Sequence, residues 1–185
     1  MKTSSIGDFE EALSLLDKKL GEAGIDLIRI RAIGGFAMMY YGFRDNGYTI
    51  DIDSLTSKYP DEVVRIIREV ADENGLDEDW LNTDCATLEG FLTVLSKQIN
   101  WEKSKYEFEH IDLKIADIVG LIRSKAKAIE EGGLVPRSTD KKDLLNGLRH
   151  VGITGVNALI ENKEYSFIAN EYPRCFEYLK MIEKW

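Results

Sequence analysis

Residues 32–53 read AIGGFAMMYYGFRDNGYTIDID. An apolar run ends in adjacent glycines, Gly34 and Gly35, and a short apolar stretch and a turn follow. Then come two aspartates, Asp51 and Asp53, separated by a single isoleucine. Just upstream, IDLIRIRAI sets Ile28 and Ile30 against Arg29 and Arg31, the period-two pattern of a strand with one polar face. FAMMYYGF is apolar and short and predicts a buried helix, RDNG is a turn signal, and YTIDIDSLT predicts the next strand. A strand alternates its side chains. Asp51 and Asp53 therefore share one face, and Ile50 and Ile52 point into the core.

Two carboxylates so placed repel unless a cation compensates them, and hard oxygen ligands of this kind suit Mg²⁺. Taken alone, the motif reads sooner as an edge strand with a solvated acidic face. The glycine pair adds a second feature. Glycine permits φ > 0 and a close approach of the backbone to a ligand, and the first amides of a helix opening there point back over the glycines as an anion site. The alternative is a tight strand-to-helix turn without a ligand. The order strand, Gly-Gly, helix, turn and paired aspartates points to a phosphate and a metal ion held side by side.

The rest of the chain agrees with one compact α/β protein. Its 185 residues suffice for a sizeable core, and 44% hydrophobic with 31% charged residues is an ordinary globular balance. No run has the length of a membrane span, and the acids of MKTSSIGDFEEALSLL do not read as a signal peptide, so the expected location is the cytoplasm. Cys85 and Cys175 stand in no metal-binding spacing and read as packed, reduced thiols. The net charge of −9 argues against a general nucleic-acid binder but leaves room for a local basic patch.

Ile6, Phe9, Leu13, Leu16 and Leu20 recur at helical spacing. YPDEVVRIIREVADENG carries the punctuation of a second helix, with acids after a proline and a closing Asn-Gly. LDEDWLNTDCATLEG reads as a polar connection, and FLTVLSKQINW and KYEFEHIDLKI read as strands, the first with a helical start as its alternative. From Ala116 onward ADIVGLIRSKAKAIEEGG, STDKKDLLNGLRHVG, TGVNALIENKEY and NEYPRCFEYLKMIEKW read as helical pieces, and LVPRS as a loop. His110 and His150 are not at a metal-ligand spacing, and Trp80, Trp101 and Trp185 read as core or cover residues.

The segment hGG, short helix, DhD resembles the nucleotidyltransferase superfamily to which DNA polymerase beta belongs. With LIRSKAKA and RSTDKKDLLNGL it is similar to the AbiEii-like branch found in toxin–antitoxin systems. Arg44 lies farther from Thr49 than in that branch, and Asn146 stands where its last motif carries an acid. The resemblance implies a mixed sheet flanked by helices, an α+β core over residues 1–116, and a helical part over 117–185 packed on it. It also implies two Mg²⁺ ions, or Mn²⁺, held by Asp51, Asp53 and a third carboxylate. Glu107, Glu109 and Asp112 compete for that place. HIDLKI sets Asp112 between apolar residues before a helix and so selects it, and strand alternation turns Glu109 the other way.

Gly34 and Gly35 would hold the β,γ-phosphates. Among the basic residues Arg123, Lys125, Lys127, Arg137, Lys141 and Lys142, the resemblance selects Lys125 and Lys142 for the triphosphate, with Asp143 orienting the lysine. The implied activity is transfer of a nucleoside monophosphate from a nucleoside triphosphate to a hydroxyl of a tRNA end, a protein or a small molecule. The implied protein partner is a cognate toxin or antitoxin. The alternative is the same fold as a catalytically weak binding module, a nucleotide sensor or a toxin–antitoxin partner.

Overall fold

The structure, a computed structural model, describes residues 3–44, 47–132, 138–182 and 185. Asp45 and Asn46, where a turn is expected, and residues 133–137, Arg137 among them, lie outside the described residues. The chain divides into two compact units, Met1–Asp117 and Ile118–Trp185. Among the described residues, no helix is long and apolar enough to cross a membrane.

The first unit is a mixed sheet with helices. Helix α1 (Ile6–Glu22) opens on a capping box between Ser5 and Asp8, which satisfies backbone donors a helix start leaves unpaired. Strand β1 (Ile28–Ile33) runs straight into helix α2 (Gly34–Tyr40). Strand β2 (Ile52–Ser54) precedes helix α3 (Asp61–Asn74), which ends on left-handed Gly75. Strands β3 (Leu81–Asn82), β4 (Trp101–Lys103) and β5 (Ile111–Ala116) complete a sheet of order β3-β2-β1-β5-β4. Strand β1 pairs parallel with β5 and antiparallel with β2, β2 pairs parallel with β3, and β4 pairs antiparallel with β5.

One sheet face is apolar. Ile28, Ile30 and Ala32 of β1, Ile52 of β2, and Ile111, Leu113 and Ile115 of β5 are all buried. Phe9, Leu13, Leu16 and Leu20 of α1 are fully buried, each adding about 1.5–3 kcal/mol of apolar transfer. Phe9 meets Phe36 edge-on and stacks with Trp80, so α1, α2 and the approach to β3 share one core. Trp80 is fully buried and its indole donates to Ile67 O, which settles it as a core residue. The other sheet face carries Arg29 and Arg31 of β1 and Lys114 and Asp112 of β5 in register.

Two sequence expectations are corrected here. Phe91–Leu95 is a π-type turn and α4 (Ser96–Gln98) follows it, so the run read as a strand is strand only over Trp101–Lys103. The buried residues Phe91, Leu95 and Ile99 recur every fourth position, a helical period hidden among β-prone neighbours. Likewise KYEFEHIDLKI is a strand only from Ile111. The backbone amides of Glu109 and His110 are turned out to the Asp17 carboxylate (3.1 and 2.7 Å). Glu109 is thus not in the strand, and the alternation argument that set it against Asp112 has no basis.

The second unit is helical: α5 (Ile118–Glu131), α6 (Ser138–His150), α7 (Val156–Glu161), α8 (Phe167–Glu171) and α9 (Pro173–Lys180). They enclose a core of its own, with Ile122, Ala126, Ile129, Leu144, Leu148, Leu159, Ile168, Cys175 and Leu179 buried together.

Candidate functional site

The glycine pair and the aspartates meet at the end of β1. Ile33 stands opposite Asp53 in the β1–β2 register, and Gly34 follows at φ +69°, a left-handed conformation that favours glycine. A Cβ on Gly34 would collide with Oδ2 of Asp53, and one on Gly35 would collide with Oγ1 of Thr49 and lie 2.6 Å from Nη1 of Arg44. Both glycines are therefore required by close approach, and the side chains that approach are those of the paired-aspartate segment itself. Only Gly34 has positive φ.

Thr49 is buried and is pinned by a two-way backbone bridge to Ser4 (2.7 and 3.0 Å), which ties this segment to the residues before α1. Arg44 donates from Nη1 to Tyr48 O at 2.9 Å, which folds its side chain back toward Thr49. With the longer Arg44–Thr49 spacing, the guanidinium still reaches Gly35.

Asp51 lies one residue ahead of β2, yet it is on the same side as Asp53. Asn82 shows this: its Cα pairs with Asp53, and its side-chain amide donates to Oδ2 of Asp51 at 3.1 Å. Both carboxylates are half-buried. Asn82 was not singled out by sequence, because one asparagine in the polar stretch LNTD carries no pattern. Cys85 lies close by, and burial, then the charges of Asp53, Asp51 and Asp84, push its thiol well above its ordinary range. That thiol is inert and protonated.

Asp112 does not join Asp51 and Asp53. It is in register with Arg29, four residues before the Ile33 that Asp53 faces, or about 13 Å along β1, with β1 itself between the two aspartates. Its carboxylate instead accepts from Nη2 of Arg31 at 2.6 Å, and Arg31 also donates to Asp112 O at 2.8 Å. Glu107 and Glu109 are exposed in the segment before β5. Among the described residues no group of three or more His, Cys, Asp or Glu side chains is gathered as a metal site.

Lys125 and Lys142 belong to the second unit. Lys125 is buried, its Nζ held between Oδ1 of Asp140 (2.9 Å) and Oδ2 of Asp143 (2.8 Å), both also buried. This is a fixed ion triad, not the mobile point charge expected for a triphosphate. Lys142 is exposed. Arg123 pairs with Glu171 and lies over the Phe167 ring at 3.7 Å, which gives that cation a structural task. His110 is a packed residue, its Nδ1 3.0 Å from Ile25 O.

In comparison with known proteins, no family model, no curated protein and no solved structure matches the chain.

Proposed function

We propose that the chain handles nucleoside triphosphates through a divalent cation at Asp51 and Asp53, in the manner of a nucleotidyltransferase. The observation that supports this reading is the convergence of three charged or hydroxyl groups on two adjacent glycines, Asp53 on Gly34 and Thr49 and Arg44 on Gly35, with Asp51 on the same side as Asp53 and bonded by Asn82. Two carboxylates fit one Mg²⁺, which takes one or two from a protein and fills its shell with water and phosphate oxygens. Bound there, the ion would supply charge neutralisation for a triphosphate.

The chain's own residues then divide the work. Asp51 and Asp53 hold the cation and fix its place relative to β1. Arg44 and Thr49 offer donors to a phosphate oxygen, as a planar guanidinium and a hydroxyl. Asn82 restrains Asp51 through its amide. With Asp112 engaged by Arg31, a single ion suits these residues better than a pair.

That engagement also favours the second reading, a nucleotide-binding module with weak or absent transfer. Thermal unfolding with Mg²⁺ or Mn²⁺, with and without each nucleoside triphosphate, tests the shared part. The cation should raise the melting temperature, the triphosphate should raise it further, and Asp51→Asn with Asp53→Asn should remove both effects. Equal stabilisation of parent and double variant would reject the site. Label transfer from a triphosphate to RNA, protein or a small molecule would then separate the enzyme from the module.

A further inference from the structure

A second candidate site lies at the other end of β1. Strand β2 stays with β1 only through Ser54, after which Leu55 N bonds Arg31 O (2.8 Å) and the chain leaves the sheet. Tyr59 then reaches back, its hydroxyl donating to Arg29 O (3.2 Å). Between the start of β1 and the departing chain a groove of about 500 Å³ remains, within the range of small-molecule sites. Its apolar lining includes Leu27, Val63 and Leu92, and Leu27 is 53% exposed at its margin. Its polar lining includes Thr56, Ser57 and Arg29.

Arg29 is exposed and makes no side-chain ion pair among the described residues. Its register partner Asp112 gives its carboxylate to Arg31 instead. An arginine left to solvent beside an apolar groove selects an anionic head on an apolar body.

We propose that this groove binds a small amphipathic carboxylate, with one carboxylate oxygen accepting from Arg29, the other accepting from the hydroxyls of Thr56 and Ser57, and the hydrocarbon against Leu27, Val63 and Leu92. The site is independent of the nucleotide reading. Arg29 lies four residues before Ile33, about 13 Å from the position Asp53 faces, so both sites can be filled together.

The test uses the full chain and three eight-carbon probes, octanoate, octanol and octylamine, in thermal unfolding and titration calorimetry. Octanoate should bind and raise the melting temperature, octanol should bind more weakly, and octylamine should not bind. Arg29→Gln should weaken octanoate about tenfold and leave octanol unchanged, since a charge-assisted contact is lost while the groove remains. Ser57→Trp, which fills the groove, should abolish both. The idea fails if octanoate does not bind, if octylamine matches it, or if Arg29→Gln leaves its affinity unaltered. The Mg²⁺ response at Asp51 and Asp53 should be the same in Arg29→Gln, so the two sites stand or fall separately.

Discussion

At the scale of single residues, the two glycines have different tasks although they are neighbours in sequence. Gly34 combines positive φ with the Asp53 carboxylate against its Cα, so Gly34→Ala meets both backbone strain and a collision. Gly35 has no positive φ, and the atoms its Cβ would meet, Oγ1 of Thr49 and then the Arg44 guanidinium, are side-chain ends that can shift. Gly34→Ala should therefore cost about 2–3 kcal/mol in urea unfolding, and Gly35→Ala less. Equal costs would mean that φ at Gly34 contributes nothing. Asp112 gives a second prediction at this scale. Its pair with Arg31 is partly exposed, the two side chains being 16% and 31% accessible for Arg31 and Asp112, so Asp112→Asn should cost at most about 1 kcal/mol. The same variant should leave the Mg²⁺-induced rise in melting temperature intact. If it abolishes that rise, Asp112 belongs to the metal site after all, and the sheet register misleads about its reach.

At the scale of elements, legibility followed the strength of the local period. Helix α1 was readable because Phe9, Leu13, Leu16 and Leu20 repeat on one face, and β1 because its isoleucines alternate with arginines. Strand β3 was not, since two residues hold no period, and residues 91–95 carried helical spacing under β-prone composition. The aspartates were legible as a pair because their two-residue spacing keeps them on one side even where the strand proper has not begun. The role of Lys125 was not legible, because burial decides it and burial is a property of the packed helices. Lys125 joins α5 to α6 through Asp140 and Asp143, and all three are nearly inaccessible. Removing the cation takes a buried counter-charge away from two buried carboxylates. Lys125→Met should thus destabilise by about 3–5 kcal/mol, measured by denaturant unfolding. Adding Asp140→Asn and Asp143→Asn to it should recover much of the loss. A loss well below 1 kcal/mol for Lys125→Met would return the lysine to a solvated, phosphate-seeking role.

At the scale of the whole molecule, composition foretold a globular protein and the strand and helix patterns an α/β one, and the structure is a five-stranded mixed sheet with helices and a helical second unit. The two units differ in charge rather than in apolar content: residues 1–117 carry 13 Lys and Arg against 24 Asp and Glu, and residues 118–185 carry 11 against 9. What they share is a buried thiol, Cys85 in the first and Cys175 in the second. Burial, and then the charge of Glu130, push the Cys175 thiol from its ordinary value near 9 up to about 12, and Cys85 moves the same way. A raised folded value means that the native state holds the proton more tightly than the unfolded chain does. The stabilising contribution is fully present below the unfolded value and is lost as pH rises toward the folded one. Tyr41, half-buried with its hydroxyl donating to Glu102 at 2.8 Å, is shifted upward as well and adds to the loss at higher pH. Urea midpoints should therefore fall between about pH 8 and pH 11. Cys175→Ala should lower stability modestly at neutral pH through the small cavity it leaves, and should flatten the alkaline fall because one of its causes is gone. A slope identical to the parent's would show that the thiol ionises as readily in the native state as in the unfolded chain, and that the core around Cys175 admits water.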